Sequence, residues 1–315
     1  MNKLYIVVPC YKEEAVLPET SRRLKEKLAA LQAAGHIAGD SRVLFVDDGS
    51  SDRTWEIIEE LHAADETFSG LKLSRNRGHQ NALLAGLAHA AEHADVIISM
   101  DADLQDDIGA VDKMLEKYRE GCEVVYGVRS SREKDTFFKR ATAQGFYRFM
   151  QMMGVDIVYN HADYRLLSQR AAQALMSFTE VNLFLRGLVP LVGFKSGTVT
   201  YERGERFAGE SKYPLKKMIA FALDGITSFS IKPIRLILAL GVAILIISVL
   251  MLIYSLLSKL WGSTVSGWTS LVCSIWALGG IQMISLGVIG EYIGKIYNET
   301  KRRPRFIIET VLDKE

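Results

Sequence analysis

The sequence predicts an α/β fold with a mostly parallel sheet, followed by an amphipathic helix and a two-helix transmembrane hairpin. Three observations predict it. Short apolar runs alternate with helical periods as far as Tyr201, acidic and polar clusters close several of those runs, and from Ile234 onward the chain is largely apolar. Strands separated by helices of this length imply right-handed βαβ units and a sheet covered on both faces.

Leu4-Tyr5-Ile6-Val7-Val8, ended by Pro9, reads as a strand buried on both faces. Val16 to Ala34 carry a helical period, with Leu17, Leu24, Leu28 and Leu31 on one stripe. A second strand, Val43 to Val46, runs into Asp47-Asp48-Gly49-Ser50-Ser51-Asp52, and a helix follows to Ala64. Leu71-Lys72-Leu73 is a third strand, Asn81 to Glu92 a third helix and Val96 to Met100 a fourth strand. In such sheets ligands bind beyond the carboxyl ends of the strands. Tyr11–Glu14, Asp47–Asp52, Ser74–Gly78 and Asp101–Asp106 all fall there, so four loops converge on one crevice.

A helix runs from Asp112 to Glu120, and Val124 to Gly127 form a strand that ends at Arg129. Ser130 to Lys139 are charged without a clear period, as expected of a mobile loop over the crevice. Ala141 to Met153 read as a helix whose aromatic and Met side chains serve packing. Asp163 and Arg165 precede a helix over Ser168 to Met176, and Val199-Thr200-Tyr201 reads as the last strand. Tyr213 to Ser230 then place Leu215, Met218, Ile219, Ala222, Leu223 and Ile226 opposite Lys216 and Lys217, which fits a helix lying on a membrane surface; packing on the soluble domain would give the same stripe.

Leu236 to Ser258 and Leu260 to Gly290 contain no charge, and each is long enough to cross a bilayer. Lys232 and Arg235 precede the first span, Lys295, Lys301, Arg302, Arg303 and Arg305 follow the second, and only Lys259 lies between. Both ends are then cytoplasmic. With no buried charge, two spans make an anchor rather than a channel. Gly290 and Gly294 form a small-x-x-x-small pair, a weak signal for helix association. The expected organisation is 1–212 catalytic, 213–232 interfacial, 233–294 hairpin (about 234–258 and 267–290) and 295–315 tail.

Composition narrows the function. A net charge of +1 over 315 residues argues against a general nucleic-acid binder. Cys10, Cys122 and Cys273 have no metal-ligand spacing and fit free thiols in a reducing compartment. The N-terminus reads as no signal peptide. No G-x-x-x-x-G-K-[ST] loop or G-x-G-x-x-G follows a strand, which disfavours P-loop and dinucleotide enzymes.

The chemistry concentrates at Asp101-Ala102-Asp103-Leu104-Gln105-Asp106. Two carboxylates at i and i+2 where a chain leaves a sheet suit a hard cation with oxygen ligands, Mg²⁺ or Mn²⁺, that also binds substrate phosphates. An Asp-rich turn capping the next helix is the bland alternative. A second acidic cluster at the end of another strand, with Gly49 free to take positive φ, favours the metal. His79 and Gln80 open the third helix near the crevice and read as helix-terminal polar contacts.

Val7-Val8-Pro9-Cys10-Tyr11-Lys12-Glu13-Glu14, Val46-Asp47-Asp48-Gly49-Ser50-Ser51-Asp52-Arg53-Thr54, Asp101 to Asp106 and Gly209-Glu210-Ser211-Lys212-Tyr213 resemble family 2 glycosyltransferases of the GT-A fold. Within them the chain is similar to the polyprenyl-phosphate branch, which includes bactoprenol glucosyltransferases and dolichyl-phosphate mannose synthases. The resemblance covers essentially the whole chain. It implies that Pro9, Tyr11, Glu13, Val46 and Asp48 hold the donor nucleoside, and that Asp101, Asp103 and Gln105 hold the metal and pyrophosphate, with Ala102 contributing its backbone. It implies phosphate contacts from Arg206 and Lys212, lipid-phosphate contacts from Arg129 and Arg140, and a catalytic role for Asp163. Lys12 departs from the family's usual Asn.

The implied reaction moves a hexose from a nucleotide diphosphate sugar, UDP-glucose or a UDP-N-acetylhexosamine, to undecaprenyl phosphate with inversion, for cell-envelope glycosylation. It would run at the cytoplasmic face of a bacterial inner membrane, with Mg²⁺ or Mn²⁺ as cofactor and the bilayer as a partner; homo-oligomer formation is left open. A phosphate monoester with a second pKa of about 6 is already largely ionised. Asp163 is therefore expected to orient an arginine or stabilise developing positive charge on the sugar, rather than act as a base. The rivals are a polyprenyl-phosphate mannose synthase using GDP-mannose, a noncatalytic membrane adaptor, and a processive polysaccharide synthase, whose Q-x-x-R-W signature is absent.

Overall fold

The computed structural model describes residues 1–129, 161–181, 185–202, 204, 227, 230, 232–260 and 267–313. Expectations for the loop 130–139, the helix 141–153, Arg140, Arg206, Lys212 and nearly all of the amphipathic segment 213–232 lie outside the described residues. Those residues fall into two compact units, one of 1–129, 161–204 and 303–313, the other of 227–302.

The first unit is built on eight described strands: β1 Leu4–Cys10, β2 Arg42–Asp47, β3 Phe68–Leu73, β4 Val96–Ser99, β5 Val124–Arg129, β6 His161–Ser168, β7 Ser196–Tyr201 and β8 Ile308–Leu312. They lie in the order β7-β5-β6-β4-β1-β2-β3-β8. β1 runs parallel to β2 and β4, β2 to β3, and β5 to β7. The reversed strands are β6, against β4 and β5, and β8, against β3. The sheet is thus mostly parallel, and the carboxyl ends of β1, β2, β3, β4, β5 and β7 share one edge.

Both reversed strands correct the sequence reading. Residues 161–168 were expected as a lead into a helix; they pair with β4 from Val96↔Ser168 to Ser99↔Arg165. Val199–Tyr201 is not the last strand, because residues read as a tail supply β8, registered from Gly70↔Leu312 to Leu73↔Ile308. Asp313, just beyond it, is held from several sides. Its Oδ1 accepts from Arg42 and from the Ser69 hydroxyl at 3.0 Å, and its Oδ2 accepts from His89 Nε2 at 2.9 Å.

Helices α1 (Leu17–Ala33), α2 (Thr54–Ala64), α3 (His79–His93), α4 (Ala110–Arg119), α5 (Gln169–Met176) and α6 (Leu185–Leu191) complete this unit. Every residue of β1 and β4 is buried, as continuous apolar strands between helical layers must be. Helix α3 meets the sheet closely at Gly86, where a Cβ would stand 2.4 Å from Val7 Cγ1 and 2.7 Å from Val46 Cγ2. That contact fixes α3 along the sheet and sets its first residue, His79, at the carboxyl edge.

The second unit holds α7 (Lys232–Leu260, 29 residues) and α8 (Trp268–Lys301, 34 residues). At 1.5 Å per residue they are about 43 and 51 Å long. Leu236, Leu238, Ile246, Ile247 and Leu250 on α7, and Met283, Ile284 and Leu286 on α8, are exposed. A Cβ on Gly290 or Gly294 would meet nothing within 4 Å, so this pair does not mark a close helix approach among the described residues. Counting described residues alone, no helix is long and apolar enough to cross a membrane. In the sequence α7 is uncharged from Leu236 to Ser258.

Candidate active site

Antiparallel pairing of β4 with β6 creates the site. Because Ser99 lies opposite Arg165, the chain leaving β4 at Asp101 passes the start of β6 at Asp163. His79 Nε2, at the N-terminus of α3, lies 3.6 Å from Asp101 Oδ1 and 3.9 Å from Asp163 Oδ2. Two strand ends and a helix start therefore bring two carboxylates and an imidazole together.

Asp163 is the hub. Arg165 Nη2 donates to its Oδ1 at 2.5 Å, and Arg186 donates to Oδ2 from Nη2 at 3.1 Å and to Oδ1 from Nε at 3.4 Å. Burial raises the Asp163 pKa, but Arg186, Arg165 and His79 outweigh it and hold the carboxyl well below the usual carboxylate range. Arg165 is fully buried and also reaches the Leu185 carbonyl, while Gln80 Oε1 accepts from Leu185 N at 3.2 Å. The two bonds pin the start of α6 and so aim Arg186.

Asp101 and Asp103 stand on the loop after β4. Removal from water and the carboxylates of Asp106, Asp163 and Asp103 push Asp101 up to about 6, against the pull of His79. Since 36% of its side chain stays exposed, water screens part of that repulsion. Asp103 Oδ1 accepts from Gln105 N at 3.2 Å, the turn-forming bond expected of an Asp two residues back. Asp106 is buried; Tyr201 donates to its Oδ1 at 2.6 Å and also bonds Arg129, while its Oδ2 has no hydrogen-bond partner among the described residues. Crowded carboxylates and an orphaned buried oxygen in one loop fit a hard divalent cation with oxygen ligands. Leu104 supports the loop at φ 58, a strained value for a side chain with no local hydrogen bond to offer.

The remaining expected residues divide. Tyr11 is 44% exposed at the same edge. Glu13 N donates to Thr54 Oγ1 at 2.9 Å, and the Ala102 carbonyl accepts from Thr20 Oγ1 at 2.9 Å, which pins the D-x-D loop to α1. Val46 is fully buried against α3, and Pro9 is buried within β1. Asp48 acts inside the protein: its two oxygens accept from Arg77 N at 2.6 Å and Gly78 N at 2.8 Å, tying the end of β2 to the loop that starts α3. Gly49 takes φ +64, and a Cβ there would stand 2.6 Å from the Arg75 backbone carbon.

Arg186 and the bridging place of His79 were not legible in the sequence. His79 does follow a strand-end loop at a helix start, which was the available signal; Arg186 lies in a helix with no motif. A cleft of about 680 Å³ opens on the far flank of the D-x-D loop, lined by Lys27 and Asp107 among others, and its lining includes none of Asp101, Asp103 or Asp163.

The model of glycosyl transferase family 2 matches residues 5–176. The uncharacterized glycosyltransferase YkoT of Bacillus subtilis (strain 168) is 54% identical over 312 residues, covering 99% of this chain and 93% of the relative. The prophage bactoprenol glucosyl transferase homolog of Escherichia coli (strain K12) is 38% identical over 313 residues, covering 98% and 99%. Among solved structures, a mannosyltransferase from Pyrobaculum calidifontis in complex with GDP-Man and Mn²⁺ aligns at a TM-score of 0.48 and 13% identity, covering 95% of this chain and 88% of that one.

Proposed function

This chain belongs to glycosyl transferase family 2 and is a glycosyltransferase, and on that premise we propose that it moves a hexose from a nucleotide diphosphate sugar to the phosphate of a polyprenyl lipid, with inversion. The observation that carries the reading is the Asp163 cluster. A carboxylate fixed between Arg165 and Arg186 faces the Asp101 carboxylate across His79, which suits a reaction that brings two phosphate-bearing substrates to one sugar carbon. The 38% identity to a bactoprenol glucosyl transferase homolog over nearly the full chain supports the lipid acceptor.

Asp101 and Asp103, with Gln105 beside them, hold the divalent cation in this reading, and the cation offsets charge on the leaving diphosphate when bound. Asp48 keeps the loop that carries His79 in place. Asp163 takes no proton; it holds Arg186 where an anionic acceptor arrives and stabilises positive charge on the sugar. Arg129, Arg140, Arg206 and Lys212 supply further phosphate contacts, and Tyr11 and Glu13 face the nucleoside.

Helices α7 and α8 are proposed as a hairpin anchor in the cytoplasmic membrane. Their lengths, the uncharged stretch Leu236–Ser258 and the exposed leucines and isoleucines support it. So does the chain path: the sheet gains β8 after both helices, so a chain that crosses in α7 must cross back in α8. The basic residues before α7 and after α8 support a cytoplasmic side for both ends.

The test is to supply purified protein with undecaprenyl phosphate and radiolabelled UDP-glucose, UDP-N-acetylhexosamines or GDP-mannose, with and without chelator. Cation-dependent label in the lipid fraction from one donor is expected. Label appearing only as free sugar, or on a soluble acceptor, would refute the lipid-acceptor reading.

A further inference from the structure

One helix carries the candidate active site at one end and a second cluster at the other. His89 and His93 are four residues apart on the last turns of α3, so they share a face. Their rings stack with centroids 4.4 Å apart, and Asp313 reaches them from beyond β8. One ligand atom from each of the three residues lies within 4.8 Å of the other two. None of these residues takes part in the proposed transfer reaction.

We propose that His89, His93 and Asp313 form a binding site for a transition-metal dication of the Zn²⁺ class, which staples the C-terminal strand to α3. Two imidazoles and one carboxylate with an open fourth position are a common zinc ligand set. The second shell is built. His93 Nδ1 donates to the His89 carbonyl at 2.8 Å, which protonates that nitrogen and leaves Nε2 with its lone pair outward. Asp313 Oδ1 is held by Arg42 and by Ser69, while Oδ2 faces His89 and accepts a long bond from the Tyr5 hydroxyl at 3.4 Å. His89 Nε2 and Asp313 Oδ2, 2.9 Å apart, need only a slight widening to share a metal, since two ligands at about 2.0–2.1 Å in tetrahedral array sit roughly 3.3 Å apart. The exposed His93 ring turns to close the remaining gap. On binding, the metal takes the place of the proton on His89 Nε2, and the neutral imidazole carries its one proton on Nδ1.

The ligand chemistry separates this site from the D-x-D loop. Asp101 and Asp103 offer oxygen ligands suited to Mg²⁺ or Mn²⁺, whereas two imidazoles select a softer ion. The metal would couple α3 to β8 and thus bear on how firmly the C-terminal strand stays in the sheet.

Co²⁺ is the probe. Full-length protein in detergent, stripped with chelator, is titrated with Co²⁺, because a four-coordinate nitrogen and oxygen site absorbs visible light far more strongly than a six-coordinate oxygen site. An intense band that saturates near one equivalent and is abolished by Zn²⁺ is expected. His93→Ala removes an exposed ligand and should weaken binding by at least about tenfold, with glycosyl transfer unchanged. His89→Gln should likewise lose the band. Zn²⁺ should raise the Tm of the parent protein but not of His93→Ala. The absence of an intense band, an equal band in His93→Ala, or an equal Tm rise in both proteins would overturn the proposal.

Discussion

Asp163 and Arg186, 23 residues apart in sequence, meet at 3.1 Å with Arg165 closing on the same carboxylate from the buried side. The two guanidiniums hold this carboxyl ionised well below the usual carboxylate range. Its stabilising contribution is present above the unfolded carboxyl pKa of about 3.9 and is lost only as pH falls through its depressed folded value. Asp163→Asn should therefore lower kcat by on the order of 100-fold, with no recovery at raised pH. A pH–rate profile of the variant checks this, with circular dichroism to confirm folding; full rescue by alkali would restore a base role.

Asp101 behaves oppositely. A carboxyl raised to about 6 in the folded state destabilises that state once ionised, so the metal-free protein should gain stability as pH falls through that value. A bound dication reverses the preference, because proton and cation compete for the same oxygens. Transfer activity at subsaturating Mg²⁺ should then fall as pH drops through about 6, with a midpoint that moves lower as Mg²⁺ is raised. A midpoint independent of cation concentration would contradict the assignment.

Lys12 occupies the left-handed region at φ 57 and donates its N–H to Ser50 Oγ at 3.0 Å. Asn tolerates that backbone better than Lys, which gives a physical reason for the family's usual residue. Lys12→Asn should stabilise the protein by up to about 1 kcal/mol, read as a rise in Tm, with the Ser50 bond retained.

Gly86→Ala should do the reverse. Its new Cβ would overlap Val7 and Val46 side chains that have nowhere to move in a fully buried sheet. A loss of about 1–3 kcal/mol is expected, measured by urea unfolding. Since the shift displaces the helix that begins at His79, activity should fall alongside stability.

Much of the fold was readable because parallel strands buried on both faces announce themselves as apolar runs, and their acidic ends mark the crevice. β6 escaped for the same reason in reverse. Its residues Asp163 and Arg165 serve the carboxylate cluster, and Tyr164, Leu166 and Leu167 alone leave too short a strand-like signal. β8 escaped because Glu309 and Thr310 interrupt an edge strand that lies far from its partner in sequence. The hub at Asp163 needs Arg165 from β6 and Arg186 from α6, a meeting that no local pattern encodes.

The pairing of β8 with β3 bears on how the protein is made. On the ribosome, β3 emerges long before either long helix, and its partner emerges after both. The nascent first unit therefore waits with an open sheet edge while α7 and α8 are made. Completion of the sheet is thereby deferred until both long helices have emerged, so a chain cut short within α8 lacks the strand that pairs with β3.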